Sequence, residues 1–176
     1  MNRKRIWLIV LLIALVALVG CAQQNSSPEA ETRVITDMAG RQVEIPAEIN
    51  KVYSTSAIGS VFLYTLAPDK IAGWNDDLRD IEKQFIDPKY YDLPNLGRWK
   101  GSTPTGSIED LLKAAPDIII SVGDVSPEYI GDTDDIQKQT GIPVVMLDGS
   151  LQNTAEAYRV LGDLIGETAR AEELAA

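Results

Sequence analysis

Cys21 is the only cysteine in this chain of 176 residues, and it stands where an apolar run gives way to a polar one, in LVALVGCAQQNSSPEA. A single thiol excludes an internal disulfide framework. Its position leaves three interpretations: a thiol buried by chance, the edge of a membrane span, or a chemically modified anchor.

The residues before Cys21 favour the modified anchor. Arg3, Lys4 and Arg5 precede an apolar or small-residue run of 14, from Ile6 to Val19. A spanning helix takes about 20 residues, whereas a run of this length suits a signal peptide. Leu18-Val19-Gly20-Cys21 resembles the bacterial lipobox, in which the cysteine is lipidated and becomes the first mature residue. We predict a lipoprotein signal peptide at 1–20 and a flexible tether at 21–32; an uncleaved anchor and an ordinary secretory signal remain alternatives.

Other residue types offer little catalytic chemistry. The chain has no histidine, which removes the usual general base and the commonest transition-metal ligand. It has no nucleophile elbow and no Cys/His pair, and its carboxylates are scattered over polar segments. We therefore predict that the chain is not an enzyme, and that it holds no metal and no covalent group except the lipid on Cys21.

The charge of the chain bears on its partners. Sixteen basic and 26 acidic residues give a formal net charge of −10. Such a surface repels nucleic acid and anionic lipid. It suits a soluble body, or a body that docks onto a basic partner, so we exclude nucleic acid as a partner.

From residue 33 onward, the hydrophobic pattern alternates between strand and helix periods. It predicts a hairpin over 34–46, strands over 51–56, 70–75, 116–123 and 142–149, and helices over 57–67, 81–85, 108–114, 134–139 and 154–176. Ile58, Val61, Phe62 and Leu66 form the expected apolar face of the first helix. The last helix would be continuous and about 34 Å long, because we find no stop signal in it. This order predicts an α/β fold with a doubly wound, mostly parallel sheet flanked by helices.

An ordered series of segments carries a family resemblance: ITDMAGRQVEIPAEINKVYSTS, LAPDKIAGWN, LPNLGRW, SIEDLLKAAPDIIISVG, TGIPVVMLDG and AYRVLGDLIGETARAEELAA. Together they resemble bacterial substrate-binding lipoproteins of ABC importers for iron–siderophores, haem and cobalamin. The resemblance implies two α/β lobes joined by a long helix, with the ligand between them. It also implies ABC permease and ATPase subunits as partners, and a lipid-anchored position on the outer side of the cell membrane.

The resemblance spans residues 33–176. It assigns 33–153 to the N-terminal lobe and 154–176 to the start of the interlobe helix. The C-terminal lobe is absent from this sequence, so we expect a truncated or fragmentary form that binds ligand weakly.

Ligands of open α/β sheets bind beyond the carboxyl ends of the strands. This rule and the resemblance suggest eight candidate ligand-binding residues: Ser54, Thr55, Ser56, Trp74, Asn75, Arg98, Trp99 and Asp124. The three hydroxyls beside a helix N-terminus could hold an anion, and the aromatic rings could stack on a planar chelate beside Arg98. Each has a structural alternative: helix capping, a core tryptophan, a surface loop or a turn.

Four acidic residues, Asp76, Asp77, Asp80 and Glu82, are candidates for docking to the permease, since carboxylates of this family dock onto permease arginines. A solvated polar face is the alternative. For the whole chain, the alternative is a structural or ligand-sensing surface lipoprotein domain without a role in transport.

Overall fold

The structure is a computed structural model that describes residues 31–99 and 103–176. The predicted signal peptide, Cys21 and nearly all of the tether lie outside these residues. The elements in chain order are β1 (Thr32–Thr36), β2 (Gln42–Pro46), β3 (Val52–Ser54), α1 (Ala57–Leu66), α2 (Asp80–Lys83), α3 (Ile108–Ala114), β4 (Ile118–Gly123), α4 (Pro127–Thr140), β5 (Val144–Asp148), α5 (Thr154–Ile165) and α6 (Thr168–Ala175). Short 3-10 turns lie at Pro68–Lys70, Pro88–Tyr90 and Leu151–Asn153.

The central sheet is parallel, in the order β3–β4–β5. β4 is the middle strand, as its apolar composition predicts, and Val52 to Ser54 pair with Ile118 to Ile120 on one side of it. The predicted strand over 70–75 is wrong: this segment forms only isolated bridges, Val52 to Ile71 and Trp74 to Asn95. The reason is that the Trp74 amide donates to Pro94 and its carbonyl accepts from Leu96, so the segment pairs with a loop instead of extending the ladder.

Helices cover both faces of this sheet. Alternate side chains of β4 point to opposite sides, so Ile118, Ile120 and Val122 join one core while Ile119 joins the other. The first core is closed by α1, α5 and α6, with Phe62, Leu63 and Leu161 among its members, and the second by α3 and α4, through Leu111 and Ile136. This arrangement confirms the doubly wound α/β prediction.

The N-terminal hairpin pairs β1 with β2 in antiparallel register and is tied to the sheet by a buried aspartate. Asp37 accepts hydrogen bonds from the amides of Ala39 and Arg41 in the turn and from the Met146 amide of β5. The Arg41 guanidinium pairs with the same carboxylate at 3.1 Å. The hairpin was predicted, whereas its attachment to β5 was not.

The helix boundaries differ from prediction in two places. α4 begins at Pro127, seven residues before the predicted start at 134, because Pro127 occupies the first turn, where a missing amide costs nothing. The continuous helix over 154–176 is also wrong: α5 ends at Ile165, because Gly166 after it has a left-handed φ of 79°, and α6 begins at Thr168. Gly166 is therefore the helix stop signal, which was overlooked because apolar residues continue at helical spacing on both sides of it.

Candidate ligand-binding face

The topology points to the edge of the sheet where the parallel strands end. From β3 the chain passes through α1 to Ile71 on one side, whereas from β4 it passes through α4 to β5 on the other. The connections therefore diverge between β3 and β4, and a crevice opens beyond the carboxyl ends of these strands. We call this the carboxyl edge.

One open cleft of about 590 Å³ lies at this edge. We call it the Asp124 cleft. Its lining residues come from the ends of β3, β4 and β5 and from the starts of α1 and α4: Ser56, Ile58, Val122, Gly123, Asp124, Val125, Tyr129, Asp148, Gly149 and Ser150.

A second, smaller hollow of about 300 Å³ lies on the other side of α1. We call it the Tyr64 groove. Its lining is mostly apolar and comprises Ala57, Ser60, Val61, Tyr64, Trp74, Asn75, Asp76, Leu78, Glu82, Phe85 and Ile86.

The first turns of α1 separate the two hollows. Ile58 and Val61, both on the expected apolar face of α1, are 54% and 59% exposed. The buried face of α1 is formed by Phe62, Leu63 and Leu66 instead. An apolar periodicity shows which side of a helix is apolar, but it does not show whether a given side chain packs in the core or lines a cleft. Ile58 and Val61 are thus apolar residues that line the two hollows, and the sequence did not identify them as such.

Two of the three hydroxyl residues at the end of β3, Ser54 and Ser56, hydrogen-bond to the backbone. The Ser54 hydroxyl donates to the Ser56 carbonyl at 3.0 Å. It also packs closely against α1, because a Cβ added to Gly59 would lie 2.0 Å from the Ser54 Oγ. Ser56 caps α1, accepting from the Gly59 amide and donating to the Val122 carbonyl. Thr55 is fully buried, and its hydroxyl has no hydrogen-bond partner in the described part of the chain. Of the three, Ser56 lines the Asp124 cleft.

Asn75 is 4% exposed and works as an internal clamp. Its amide donates to the Tyr53 hydroxyl and to the carbonyls of Ser54 and Gly97, and its oxygen accepts from the Ser60 hydroxyl. The Tyr53 hydroxyl in turn donates to the Gly97 carbonyl, and burial raises the pKa of this phenol. Three segments that meet at the carboxyl edge are therefore held together by one side chain.

The two candidate aromatic residues lie apart. Trp74 is 6% exposed, donates to the Tyr90 carbonyl at 2.9 Å and reaches the Tyr64 groove. Trp99 packs against the second core, and its indole covers Gly106 so closely that a Cβ there would lie 2.3 Å from its Nε1. The structure therefore does not bring Trp74 and Trp99 together around one ligand volume.

The charged candidates divide between the two sides of the face. Arg98 Nε lies 3.3 Å from Asp76 Oδ2, so its charge is shared with a candidate docking residue. Asp124 is exposed in the cleft and accepts from the Ser126 amide at 2.9 Å. Asp148, which was not a candidate, lines the same cleft; hydrogen bonds from Ser150 and Asn153 lower its pKa. The contact of all these residues with a ligand stays a prediction.

The four acidic candidates for docking have unequal surroundings. Asp76 pairs with Arg98, Asp77 accepts from Asn95, and Glu82 accepts from both the side chain and the amide of Arg79. The Asp80 side chain is fully exposed and lies 3.9 Å from Lys83 Nζ, at the limit of an ion pair. Asp80 is thus the carboxylate most available to a partner.

Two further properties concern residues 31–99 and 103–176. None of their helices is long and apolar enough to cross a membrane. They also contain no group of three or more His, Cys, Asp or Glu side chains arranged to hold a metal ion.

Several solved structures share this fold. An ABC transporter solute-binding protein from Sulfurospirillum deleyianum matches 81% of this chain with a TM-score of 0.71 and 26% identity. SirA from Staphylococcus aureus, complexed with staphyloferrin B, matches 81% with a TM-score of 0.59 and 20% identity. MolA from Haemophilus influenzae, bound to molybdate, matches 81% with a TM-score of 0.57 and 20% identity. These matches confirm the predicted resemblance to solute-binding proteins of ABC transporters.

The matches cover only part of the proteins concerned. The chain spans 45% of the Sulfurospirillum and Staphylococcus proteins and 49% of the Haemophilus protein. No protein-family model and no curated protein matches the chain.

Proposed function

We propose that this chain provides one wall of the ligand site of an ABC importer's solute-binding protein, held on the outer side of the cell membrane. The observation that carries the proposal is the pair of open hollows beyond the carboxyl ends of a doubly wound sheet, in a fold shared with ABC transporter solute-binding proteins. The ligand class is a metal chelate, namely an iron–siderophore, or a haem or cobalamin-type macrocycle.

The shape of the face agrees with this role. Binding sites for small molecules are concave, mostly apolar and furnished with few polar groups. The Asp124 cleft and the Tyr64 groove have this character, and Ile58 and Val61 between them are exposed apolar contacts. Transport would proceed by closure of a second wall over the ligand, followed by docking on the permease.

The affinity of the chain tests the proposal. We expect dissociation constants in the micromolar range or weaker for ferric siderophores, haem or cobalamin, because one wall leaves much of the ligand wet, whereas complete sites bury about 70–90% of it. Isothermal titration of the full chain in detergent micelles measures this. Ile58→Ala should weaken binding several-fold, whereas Val34→Ala, which truncates an exposed apolar residue of the hairpin, should not.

Two results would contradict these statements separately. Absence of binding to every ligand class at millimolar concentration would contradict the proposed function. Sub-micromolar binding would support the function and contradict the single-wall account of affinity.

We further propose Asp80 as the docking carboxylate for a permease arginine, because its side chain is fully exposed and lies only at the limit of ion-pair distance from Lys83. Asp80→Asn should lower recovery of the chain with the permease–ATPase complex in a pull-down. Asp163→Asn removes an equal charge from an exposed position on α5 and serves as the control. Equal recovery of both variants would exclude Asp80 from docking.

A structural or ligand-sensing domain is the second candidate function. The observation in its favour is that Trp74 is buried and Trp99 packs on the opposite core. Tight and specific binding of a non-chelate ligand, without association with a permease, would favour the sensing role.

A further inference from the structure

The Asp124 cleft has a carboxylate at the end of each of two neighbouring strands. Asp124 directly follows β4, and Asp148 ends β5, where it is the register partner of Gly123. Adjacent strands lie about 4.8 Å apart, so the two acidic residues belong to one small stretch of cleft wall. The Gly149 amide donates a hydrogen bond to the Gly123 carbonyl at 2.9 Å, which holds the two strand ends at this distance beyond the last paired residues.

Local hydrogen bonds hold both carboxylates in place. Asp124 accepts from the Ser126 amide at 2.9 Å, while Asp148 accepts from the Ser150 amide at 2.8 Å and from the Asn153 side chain at 2.6 Å. All these donors are neutral, so they stabilise the two negative charges without cancelling them.

The described residues place no cation beside the two carboxylates of the cleft. No lysine or arginine is among the described residues that line it, and none of them lies within ion-pair distance of Asp124 or Asp148. At the same edge, Arg98 pairs with Asp76 and Arg79 pairs with Glu82. The described wall of the cleft is therefore electronegative.

The N-termini of α1 and α4, which both line the cleft, act in the opposite sense, but they are weaker. A helix N-terminus is equivalent to about half a positive charge, and its effect falls off within one turn. Here the Ser56 side chain already accepts from the Gly59 amide. Two full negative charges outweigh these two half charges, so the anion site expected around Ser54, Thr55 and Ser56 is disfavoured.

We propose that the ligand of the Asp124 cleft carries no net negative charge, which selects cationic and neutral metal chelates over polyanionic catecholate or carboxylate chelates and over oxyanions. This inference rests on the proposed function and narrows its ligand class. Ile58, which is 54% exposed, and Tyr129, which is 37% exposed, contact the apolar rim of such a chelate, while Asp124 and Asp148 attract its charge. An anionic chelate in the cleft would bring like charges together, and this repulsion lowers its affinity relative to that of a cationic or neutral chelate.

The test compares two ferric chelates of opposite charge on the full chain in detergent micelles. Ferrioxamine B, a hydroxamate chelate with net positive charge, should bind at least about tenfold more tightly than ferric enterobactin, a strongly anionic catecholate chelate. Ferrioxamine binding should also weaken as salt rises, because screening reduces the attraction.

Matched variants locate the effect. Asp124→Asn keeps an oxygen for the Ser126 amide and should weaken ferrioxamine binding about threefold to tenfold. Asp163→Asn removes the same charge from α5, outside the cleft lining, and should leave binding unchanged. If Asp124→Asn does not fold by circular dichroism, the salt dependence of the unmodified chain decides in its place.

The outcomes separate the two proposals. Tighter binding of the anionic chelate, or equal binding of both without salt dependence, overturns the inference and leaves the proposed function standing. Binding of neither chelate nor of any other chelate at millimolar concentration overturns the proposed function and the inference with it.

Discussion

At the scale of residues, polar side chains of the carboxyl edge divide into those that hold the edge together and those that face open space. Ser54 and Asn75 belong to the first group, since their polar atoms are bonded internally. Asp124 and Asp148 belong to the second, since their hydrogen bonds are local and they line the cleft. Residue type alone does not make this division, because both groups are polar residues at or just after the ends of strands or strand-like segments.

Removal of the Asn75 side chain should therefore reduce stability. Asn75→Ala leaves the buried Ser54 carbonyl and the Ser60 hydroxyl without their partner, and we expect a loss of about 2–4 kcal/mol in the free energy of unfolding. Urea denaturation followed by circular dichroism measures it. Asn50→Ala, which truncates an exposed asparagine, should cost less than about 0.5 kcal/mol. Equal effects of the two substitutions would show that the clamp does not stabilise the fold.

At the scale of elements, α5 and α6 form a packed pair instead of one rod. α5 buries a broad stripe against the first core, including Tyr158, whose ring stacks on Phe62 with centroids 4.3 Å apart. After the left-handed Gly166, α6 returns along α5, and the helices touch where Ala171 meets Gly162. Because the two helices are in contact at this point, their separation depends on the absence of a side chain at residue 162.

This contact predicts opposite effects for the same substitution in two helices. Gly162→Ala would place a Cβ 2.3 Å from that of Ala171, and the resulting displacement should cost about 1–3 kcal/mol. Gly131→Ala, inside α4, meets nothing within 4 Å and should stabilise the chain by about 0.5–1 kcal/mol through helix propensity. Thermal unfolding of both variants measures the difference. Stabilisation by both substitutions would contradict the close contact of α5 with α6.

At the scale of the whole molecule, the described body has an open edge, whose cleft is lined by two carboxylates, and a sheet covered by helices on both faces. In the proposed function, this body would be held close to its permease by a lipid on Cys21, through the predicted tether. One acyl chain gives only marginal membrane binding, and stable anchoring takes about two, so a multiply acylated cysteine would suffice.

Replacement of the anchor residue should relocate the protein without altering its fold. Cys21→Ser should shift the chain from the membrane pellet to the soluble or secreted fraction, since the serine hydroxyl does not accept the lipid. Fractionation and immunoblotting measure the shift, and Ser26→Ala in the same segment is the control. Membrane retention of Cys21→Ser after detergent-free washing would contradict lipid anchoring.

The sequence by itself determined the class of the fold and most of its elements. The apolar run of β4 required cover on both faces, Ser107 caps α3 by accepting from the Asp110 amide, and Gly141 ends α4 with a left-handed φ of 70°. These features depend on residues that are close together in the chain, so the sequence alone is enough to predict them. The same local logic failed at Gly166 only because an apolar periodicity continued through the stop signal.

Only the tertiary structure decided which residues face the cleft. Ile58 and Val61 share the periodicity of Phe62 but not its burial, and Asn75 and Asp148 both follow strand-like segments, although one is a clamp and the other lines the cleft. Exposure and charge at the carboxyl edge depend on how strands distant in the chain are ordered in the sheet. That order is set by pairing between segments as far apart in the chain as Ser54 and Ile120, and no local pattern contains it.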